Sequence, residues 1–195
     1  MKVRDIISVI EDFAPLSIQE SWDNSGLCVG SPEDEVTSVL LGLDCTPALV
    51  DEAVACGADM IVTHHPLIFK GVKKITPDDQ TGEAIIKAIR AGISIYAAHT
   101  SADKVLAGVS GAMAQKLGLK NVRILDEDGE GTGLGTIGEF ENPMTSEEAV
   151  AFVKERFGLK VLKASRPIDG KIGSNTGQNV LLFRLRLRNN EVKQC

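Results

Sequence analysis

The chain has few aromatic residues, no paired cysteine motif and no long apolar segment. Its 195 residues include one tryptophan, one tyrosine and four cysteines, with no Cys-x-x-Cys spacing. That cysteine pattern disfavours a zinc knuckle and a disulfide framework. The apolar runs fall far short of the ~18–20 residues of a membrane span. The N-terminus lacks the apolar core of a secretory signal, which predicts a cytoplasmic protein.

Basic residues are scarce in most of the chain. The formal net charge is −6, but residues 1–159 carry −12 and residues 160–195 carry +6. An acidic body with so few aromatic side chains disfavours nucleic-acid binding. The feature that favours it is a basic stripe formed by Arg184, Arg186 and Arg188. The alternation of apolar and polar residues over 180–188 is explained equally by a half-buried strand with a solvated basic face.

Strand and helix patterns alternate through the first 120 residues or so. Apolar runs predict three strands, over residues 39–44, 60–63 and 93–98. Helical spacing and its flanking signals predict four helices, over about residues 6–13, 49–57, 81–90 and 105–117. Strands that alternate with helices at this spacing predict an α/β fold with a mainly parallel sheet and helices on both faces.

The pattern changes after residue 125. Glycines at 129, 131, 133 and 135 predict a loop before a short strand over 136–140. Thr145 and Glu148 match a capping box, which predicts the start of a helix. We therefore expect an α/β lobe over residues 1–125 and a small α+β segment, with an atypical tail, over residues 126–195.

All three histidines follow predicted strands. Ligands in open α/β sheets collect beyond the carboxyl ends of the strands. His64 and His65 are neighbours, and adjacent side chains converge on one site only where a strand gives way to a loop. Asp103 brings a carboxylate to the end of the strand that precedes His99. Imidazole with carboxylate is the ligand mix of zinc, iron, manganese or nickel, and a hydrogen-bonded structural role is the alternative.

Four stretches of sequence carry a family resemblance. They are Trp22-Asp23-Asn24-Ser25-Gly26-Leu27-Cys28-Val29-Gly30, Leu43-Asp44-Cys45-Thr46, residues 57–67 around Thr63-His64-His65-Pro66, and His99-Thr100-Ser101-Ala102-Asp103. With these motifs in this order and spacing, the chain resembles the Nif-three-like family of dinuclear-metal proteins, often named GTP cyclohydrolase I type 2 homologues. The resemblance runs from residue 1 to about residue 163.

The resemblance implies a metal site and an assembly. By position, the metal ligands are His64, His65 and Asp103, with two divalent ions per chain in intact family members. Four further residues line or support the same cleft: Asp23, Asn24, Asp44 and His99. The family also implies a homo-oligomer of six chains in a ring, and metal-dependent hydrolysis with GTP ring opening as the named activity.

The chain departs from the family pattern after residue 165. Family members contribute a further histidine and, four residues on, a glutamate that bridges both metals. Here no histidine follows His99, and Glu191 is the one glutamate after Glu155. We therefore expect a shortened chain with a weakened or mononuclear site. Two hypotheses follow: a metal-dependent hydrolase, and a non-catalytic oligomeric interaction protein with an incomplete metal site.

Overall fold

The computed structural model describes residues 1–164 and 171–172. The predicted strand over 180–188 and its arginines lie outside the described residues. Contacts divide the chain into two compact units, Met1–Gly108 and Val109–Cys195. The expected lobe boundary after residue 125 falls within a strand, Lys120–Gly129, and the division into a metal-binding lobe and a smaller segment stays a prediction.

A four-stranded sheet forms the centre of the first unit. Its strands are β1 (Gly26–Val29), β2 (Val39–Asp44), β3 (Met60–His65) and β4 (Ser94–Ala97). The spatial order is β1-β4-β3-β2, in which β2, β3 and β4 are parallel and β1 is antiparallel to β4. The mainly parallel sheet predicted from the sequence is confirmed.

Helices cover both faces of this sheet, as predicted. They are α1 (Val3–Phe13), α2 (Pro47–Cys56), α3 (Gln80–Ala91) and the short α4 (Thr100–Lys104). Side chains of α2 and α3 pack with Ile61 and Ile95. Side chains of α1 pack with Met60 and Tyr96, which point the other way because neighbouring strand residues alternate between faces. The core therefore lies on both sides of β3 and β4.

Local signals fix how the chain leaves β2. The Thr46 hydroxyl accepts a hydrogen bond from the Leu49 amide at 3.2 Å, and Pro47 occupies the first turn of α2. Gly57 ends the helix in the left-handed conformation, at φ 71°. This tight start to α2 leaves Asp44 at the carboxyl end of β2, opposite His65 of β3.

The second unit combines a hairpin with short helices. Its elements are α5 (Val109–Lys116), β5 (Lys120–Gly129), β6 (Thr132–Glu139), β7 (Met144–Thr145), α6 (Ser146–Phe157) and β8 (Lys171–Ile172). The prediction of a glycine loop over 129–135 was wrong, because Gly133 and Gly135 lie within β6. The capping box is confirmed: Thr145 and Glu148 exchange hydrogen bonds of 2.8 and 3.2 Å.

No helix in the described part of the chain combines the length and the apolar character that crossing a membrane requires.

Candidate metal centre

Three imidazoles converge at the carboxyl edge of the sheet. His64 and His65 end β3, and His99 follows β4 at the start of α4. The ring centroids are 4.8 Å apart for His64 and His65, 5.1 Å for His64 and His99, and 5.5 Å for His65 and His99. Each ring offers one nitrogen, and these nitrogens lie within 4.8 Å of one another. We call this group the imidazole cluster.

Each imidazole has its own carboxylate neighbour. The Nδ1 atom of His65 lies 2.7 Å from Oδ1 of Asp44, and that of His99 lies 2.7 Å from Oδ1 of Asp23. The Nε2 atom of His64 lies 3.8 Å from Oδ2 of Asp103. Three carboxylates around three imidazoles give the cluster a negative surround, which favours a bound cation.

The hydrogen bonds of the cluster determine which ring nitrogen is free to bind a metal. Nδ1 of His64 lies 3.0 Å from the carbonyl oxygen of Ala98, and a carbonyl oxygen can only accept, so this Nδ1 carries the proton. The same holds for His65 and His99, whose Nδ1 atoms face carboxylate oxygens. Each ring therefore keeps the lone pair on Nε2, as metal-ligating histidines backed by an oxygen acceptor do.

Asp23 is the most heavily bonded member of the site. Its side chain is 0% exposed and accepts hydrogen bonds from the groups around it: the amide of Asn24, the hydroxyl of Ser25, Nδ1 of His99, and the amide and hydroxyl of Thr100. Burial raises the pKa of this carboxyl, but the hydrogen bonds from His99 and Thr100 outweigh burial and hold it at about 2. Asp23 therefore stays ionised and fixes the ring of His99.

Burial also sets the protonation of His64 and Asp103. It lowers the pKa of the His64 imidazole, which the nearby Asp103 carboxylate opposes. Burial likewise raises the pKa of Asp103, which the three imidazoles oppose. A histidine with a lowered pKa is neutral at pH 7, and only a neutral imidazole can donate a lone pair to a metal.

The donor atoms fit a divalent ion. A metal held by two imidazole nitrogens at ~2.0–2.1 Å places those nitrogens at most ~4.2 Å apart. The 3.8 Å between His64 and Asp103 lies inside that limit, whereas the spread of up to 4.8 Å in the imidazole cluster exceeds it. Binding of one ion by all three rings would therefore require these nitrogens to move closer together.

The structure assembles most of the residues named from sequence. His64, His65 and His99 lie together. Asp44 lies beside His65, Asp103 beside His64 and Asp23 beside His99. Asn24 contacts a different part of the chain through its side chain. Its side-chain amide donates to the carbonyl oxygen of Ile68 at 2.6 Å and so joins two loops. The assignment of His64, His65 and Asp103 as the ligands stays a prediction. The His99 ring lies only slightly farther from the other two rings, at 5.1 and 5.5 Å, than they lie from each other, at 4.8 Å.

Sequence reasoning missed the groups that support the site from α4. Lys104 is buried, and its Nζ atom lies 2.8 Å from Oε1 of Glu20. The Glu20 amide donates to the hydroxyl of Thr100 at 2.9 Å. A lysine directly after Asp103 carries no signal of burial, because lysine side chains are nearly always exposed.

The sequence model of Duf34/NIF3 (NGG1p interacting factor 3) matches residues 1–175. A protein of Clostridium acetobutylicum named "GTP cyclohydrolase 1 type 2 homolog" is 41% identical over 177 residues, covering 89% of this chain and 66% of the relative. One of the same name from Clostridium perfringens is 40% identical over 166 residues, covering 84% of this chain and 63% of the relative. This chain thus spans about two thirds of the length of these relatives.

Solved structures agree in fold. A hypothetical protein of Staphylococcus aureus superposes with a TM-score of 0.79 at 32% identity, covering 84% of this chain and 66% of the other. A Bacillus cereus protein related to NIF3 superposes with a TM-score of 0.81 at 24% identity, covering 89% and 74%. The sequence match extends over most of the chain and the fold agrees with it, so this chain belongs to the Duf34/NIF3 family.

Proposed function

We propose that this chain binds one or two divalent metal ions at the imidazole cluster and is a metal-dependent hydrolase. The observation that carries the proposal is the set of three imidazoles with Nδ1 bonded to oxygen and Nε2 left as a lone-pair donor, beside the Asp103 carboxylate. Zinc, iron, manganese and nickel all accept this donor set.

The chain's own residues have distinct tasks in this proposal. His64, His65 and Asp103 hold the metal, and His99 is a further donor beside them. Asp44 and Asp23 fix the ring orientation of His65 and His99 through Nδ1. A bound divalent ion supplies Lewis acidity, which polarises a carbonyl or phosphoryl oxygen and makes water acidic enough to ionise near neutral pH.

The relatives' printed name makes GTP ring opening the first reaction to test. Hydrolysis of a phosphoester is the second, because the same metal chemistry activates phosphorus and carbon centres. We also propose a cytoplasmic homo-oligomer, a hexamer by family resemblance.

Metal analysis tests the binding step. The purified chain is loaded with zinc, manganese or iron, dialysed and analysed for metal content. We expect at least one equivalent in the wild type and a large loss in His64→Ala and His65→Ala. Asp51→Asn is the matched control, because Asp51 forms an exposed ion pair with Lys87 away from the cluster. Equal metal content in all four proteins, or metal far below one equivalent in the wild type, contradicts the proposal.

A second candidate function follows from the composition of the chain. No histidine follows His99 among these 195 residues, so the further histidine that the family resemblance implies, and the glutamate that bridges the metals with it, are not among the residues given. Without the bridging carboxylate, two dications a few ångströms apart repel each other with less compensation. The second candidate is therefore a non-catalytic oligomeric interaction protein that retains a mononuclear site.

Turnover separates the two candidates. Metal-dependent conversion of GTP or a phosphoester that Asp103→Ala abolishes supports the hydrolase. Stoichiometric metal binding without turnover of either substrate, by a chain that assembles into a defined oligomer, supports the interaction protein.

A further inference from the structure

Two aromatic rings stand exposed beside the imidazole cluster. Trp22 is 58% exposed and Phe69 is 44% exposed, although large apolar side chains are normally buried. Their ring centroids are 6.0 Å apart with the planes at 60°. Both rings also contact His99, at 6.2 and 6.3 Å between centroids. The three rings therefore form one aromatic surface, which we call the notch.

The backbone on both sides of the notch is fixed. Trp22 lies between Glu20, whose carbonyl accepts from the Asp23 amide at 2.9 Å, and Asp23, whose carboxylate is fully buried. The segment with Phe69 is tied to the same loop by the 2.6 Å hydrogen bond from Asn24 to Ile68. Exposed rings on a fixed backbone are preorganised, so a ligand that contacts them pays little ordering entropy.

The position of the notch relates it to the chemistry of the site. His99 contacts both Trp22 and Phe69, and it also contacts the rings of His64 and His65. A ligand held in the notch thus lies one ring away from the metal-binding nitrogens. One small molecule can therefore place a binding group in the notch and a reacting group at the imidazole cluster.

Aromatic side chains select flat ligands. Ring pairs prefer offset or edge-to-face arrangements with centroids ~4.5–7 Å apart, and a planar heteroaromatic ring gains stacking contacts that a sugar or an aliphatic chain cannot make. We infer that Trp22 and Phe69 form a subsite that binds a flat heteroaromatic ring of the substrate and presents its reacting group to the imidazole cluster. The inference rests on the proposed function in taking that cluster as the reacting centre.

The fluorescence of Trp22 measures binding of a probe at the notch. It is the one tryptophan of the chain, so indole emission excited at the red edge reports on the notch alone. The full-length chain, without added metal, is titrated with guanosine, cytidine and nicotinamide as flat heteroaromatic probes. Ribose 5-phosphate serves as the probe without an aromatic ring, and free tryptophan amide corrects for absorption by the probes.

We expect saturable quenching by at least one heteroaromatic probe and none by ribose 5-phosphate. Phe69→Leu should weaken the binding about tenfold, because it removes one stacking face and keeps the apolar volume. Phe13→Leu is the matched control, since Phe13 is 48% exposed on α1, and it should leave the binding unchanged. Trp22→Phe, followed by equilibrium dialysis, should retain part of the affinity.

Three results overturn the inference. One is the absence of saturable quenching by all three heteroaromatic probes. Another is equal weakening by Phe69→Leu and Phe13→Leu. The third is emission that shifts with protein concentration when no probe is present, which would identify the notch as a contact between copies of the chain. Metal content of the wild type is measured in parallel. Zinc binding by the wild type without probe binding overturns this inference alone, and probe binding without zinc binding overturns only the proposed metal centre.

Discussion

Single residues at the edge of the sheet bring together parts of the chain that are distant in sequence. Asp23 does so most clearly, because its carboxylate holds Thr100 and His99 from a loop 76 or more positions earlier in the chain. Its buried negative charge is tolerated because both carboxylate oxygens accept hydrogen bonds from the groups around them. Removal of that charge should therefore affect both the fold of the first unit and the orientation of the His99 ring.

Asp23→Asn should lower the free energy of unfolding by about 2–4 kcal/mol, because its amide group turns donors toward the Thr100 amide and the His99 ring. Urea unfolding followed by Trp22 emission measures the change. Zinc affinity should fall ~10–100-fold, as it does when the group behind a ligating histidine is lost. Asp51→Asn, at an exposed ion pair, should cost under about 1 kcal/mol. Equal stability of the two variants contradicts the prediction.

Asp23 also limits the stability of the folded chain at acid pH. Its pKa lies at about 2 in the folded chain, below the ordinary value of 3.8. The stability it contributes is therefore present above pH 3.8 and lost as the pH falls through about 2. The wild type should lose more stability than Asp23→Asn over that interval, and parallel pH profiles of the two proteins would contradict the assignment.

Tyr96 limits the stability of the folded chain at alkaline pH. It is 1% exposed, and its hydroxyl donates to Glu11 at 3.2 Å. Burial raises the pKa of the phenol, and the Glu11 carboxylate raises it further. Since the pKa is raised on folding, stability is full below the unfolded value of about 10 and declines as the pH rises above it.

Tyr96 is the one tyrosine of the chain, so phenolate absorbance titrates it without interference. We expect the midpoint in the native protein to lie above the midpoint in urea. Tyr96→Phe should flatten the decline of thermal stability above about pH 10. Identical midpoints in native and unfolded protein would show that the phenol is not buried as described.

At the scale of elements, the sequence predicted best where one side of an element is buried. The apolar runs of β2, β3 and β4 and the cap of α6 were recognised because each has a local cause: burial, or an orphan amide that needs an acceptor. The end of β3 was predicted as a loop, but the strand continues through His65 because pairing with Asp44 of β2 extends it. Pairing between strands distant in sequence leaves no local signal.

The hairpin shows why strand patterns fail on polar segments. β5 has one buried residue among ten, Ile124, so no apolar alternation marks it as a strand. Its partner β6 contains Gly133 and Gly135, which favoured a loop. Cross-strand pairing with β5 overrides that preference, and Gly133 is required there: a Cβ atom at this position would lie 2.1 Å from the carbonyl oxygen of Asp126, at φ 155°.

Two glycines of this hairpin can be compared to test whether the close approach of Asp126 requires a glycine. Gly131 has φ 71°, and a Cβ atom added there would have no neighbour within 4 Å, whereas Gly133 combines positive φ with the clash. Gly131→Ala should cost about 1 kcal/mol from backbone strain alone, and Gly133→Ala about 3 kcal/mol or more. Native-state hydrogen exchange of the β5 and β6 amides measures both. Equal costs would show that β5 does not approach Gly133 closely.

At the scale of the whole molecule, the candidate metal centre lies within one unit. All three imidazoles and the carboxylates Asp23, Asp44 and Asp103 lie within Met1–Gly108. They come from separate segments, namely the loop before β1, the ends of β2 and β3, the β4–α4 connection and α4 itself. A metal bound here stabilises the folded arrangement of all of these segments at once, by an amount that grows with metal concentration over the dissociation constant.

Hydrogen exchange with and without zinc tests whether zinc binds within the first unit alone. Peptides over residues 20–29, 60–69 and 94–104 should gain protection, because opening any of them breaks the site. Peptides over 120–157 should be unchanged, since they contribute no donor to the cluster. In His65→Ala the zinc-dependent protection should disappear from all three segments together, because they share one centre. Protection that persists in one segment alone, or that appears over 120–157, would place the metal elsewhere in the molecule.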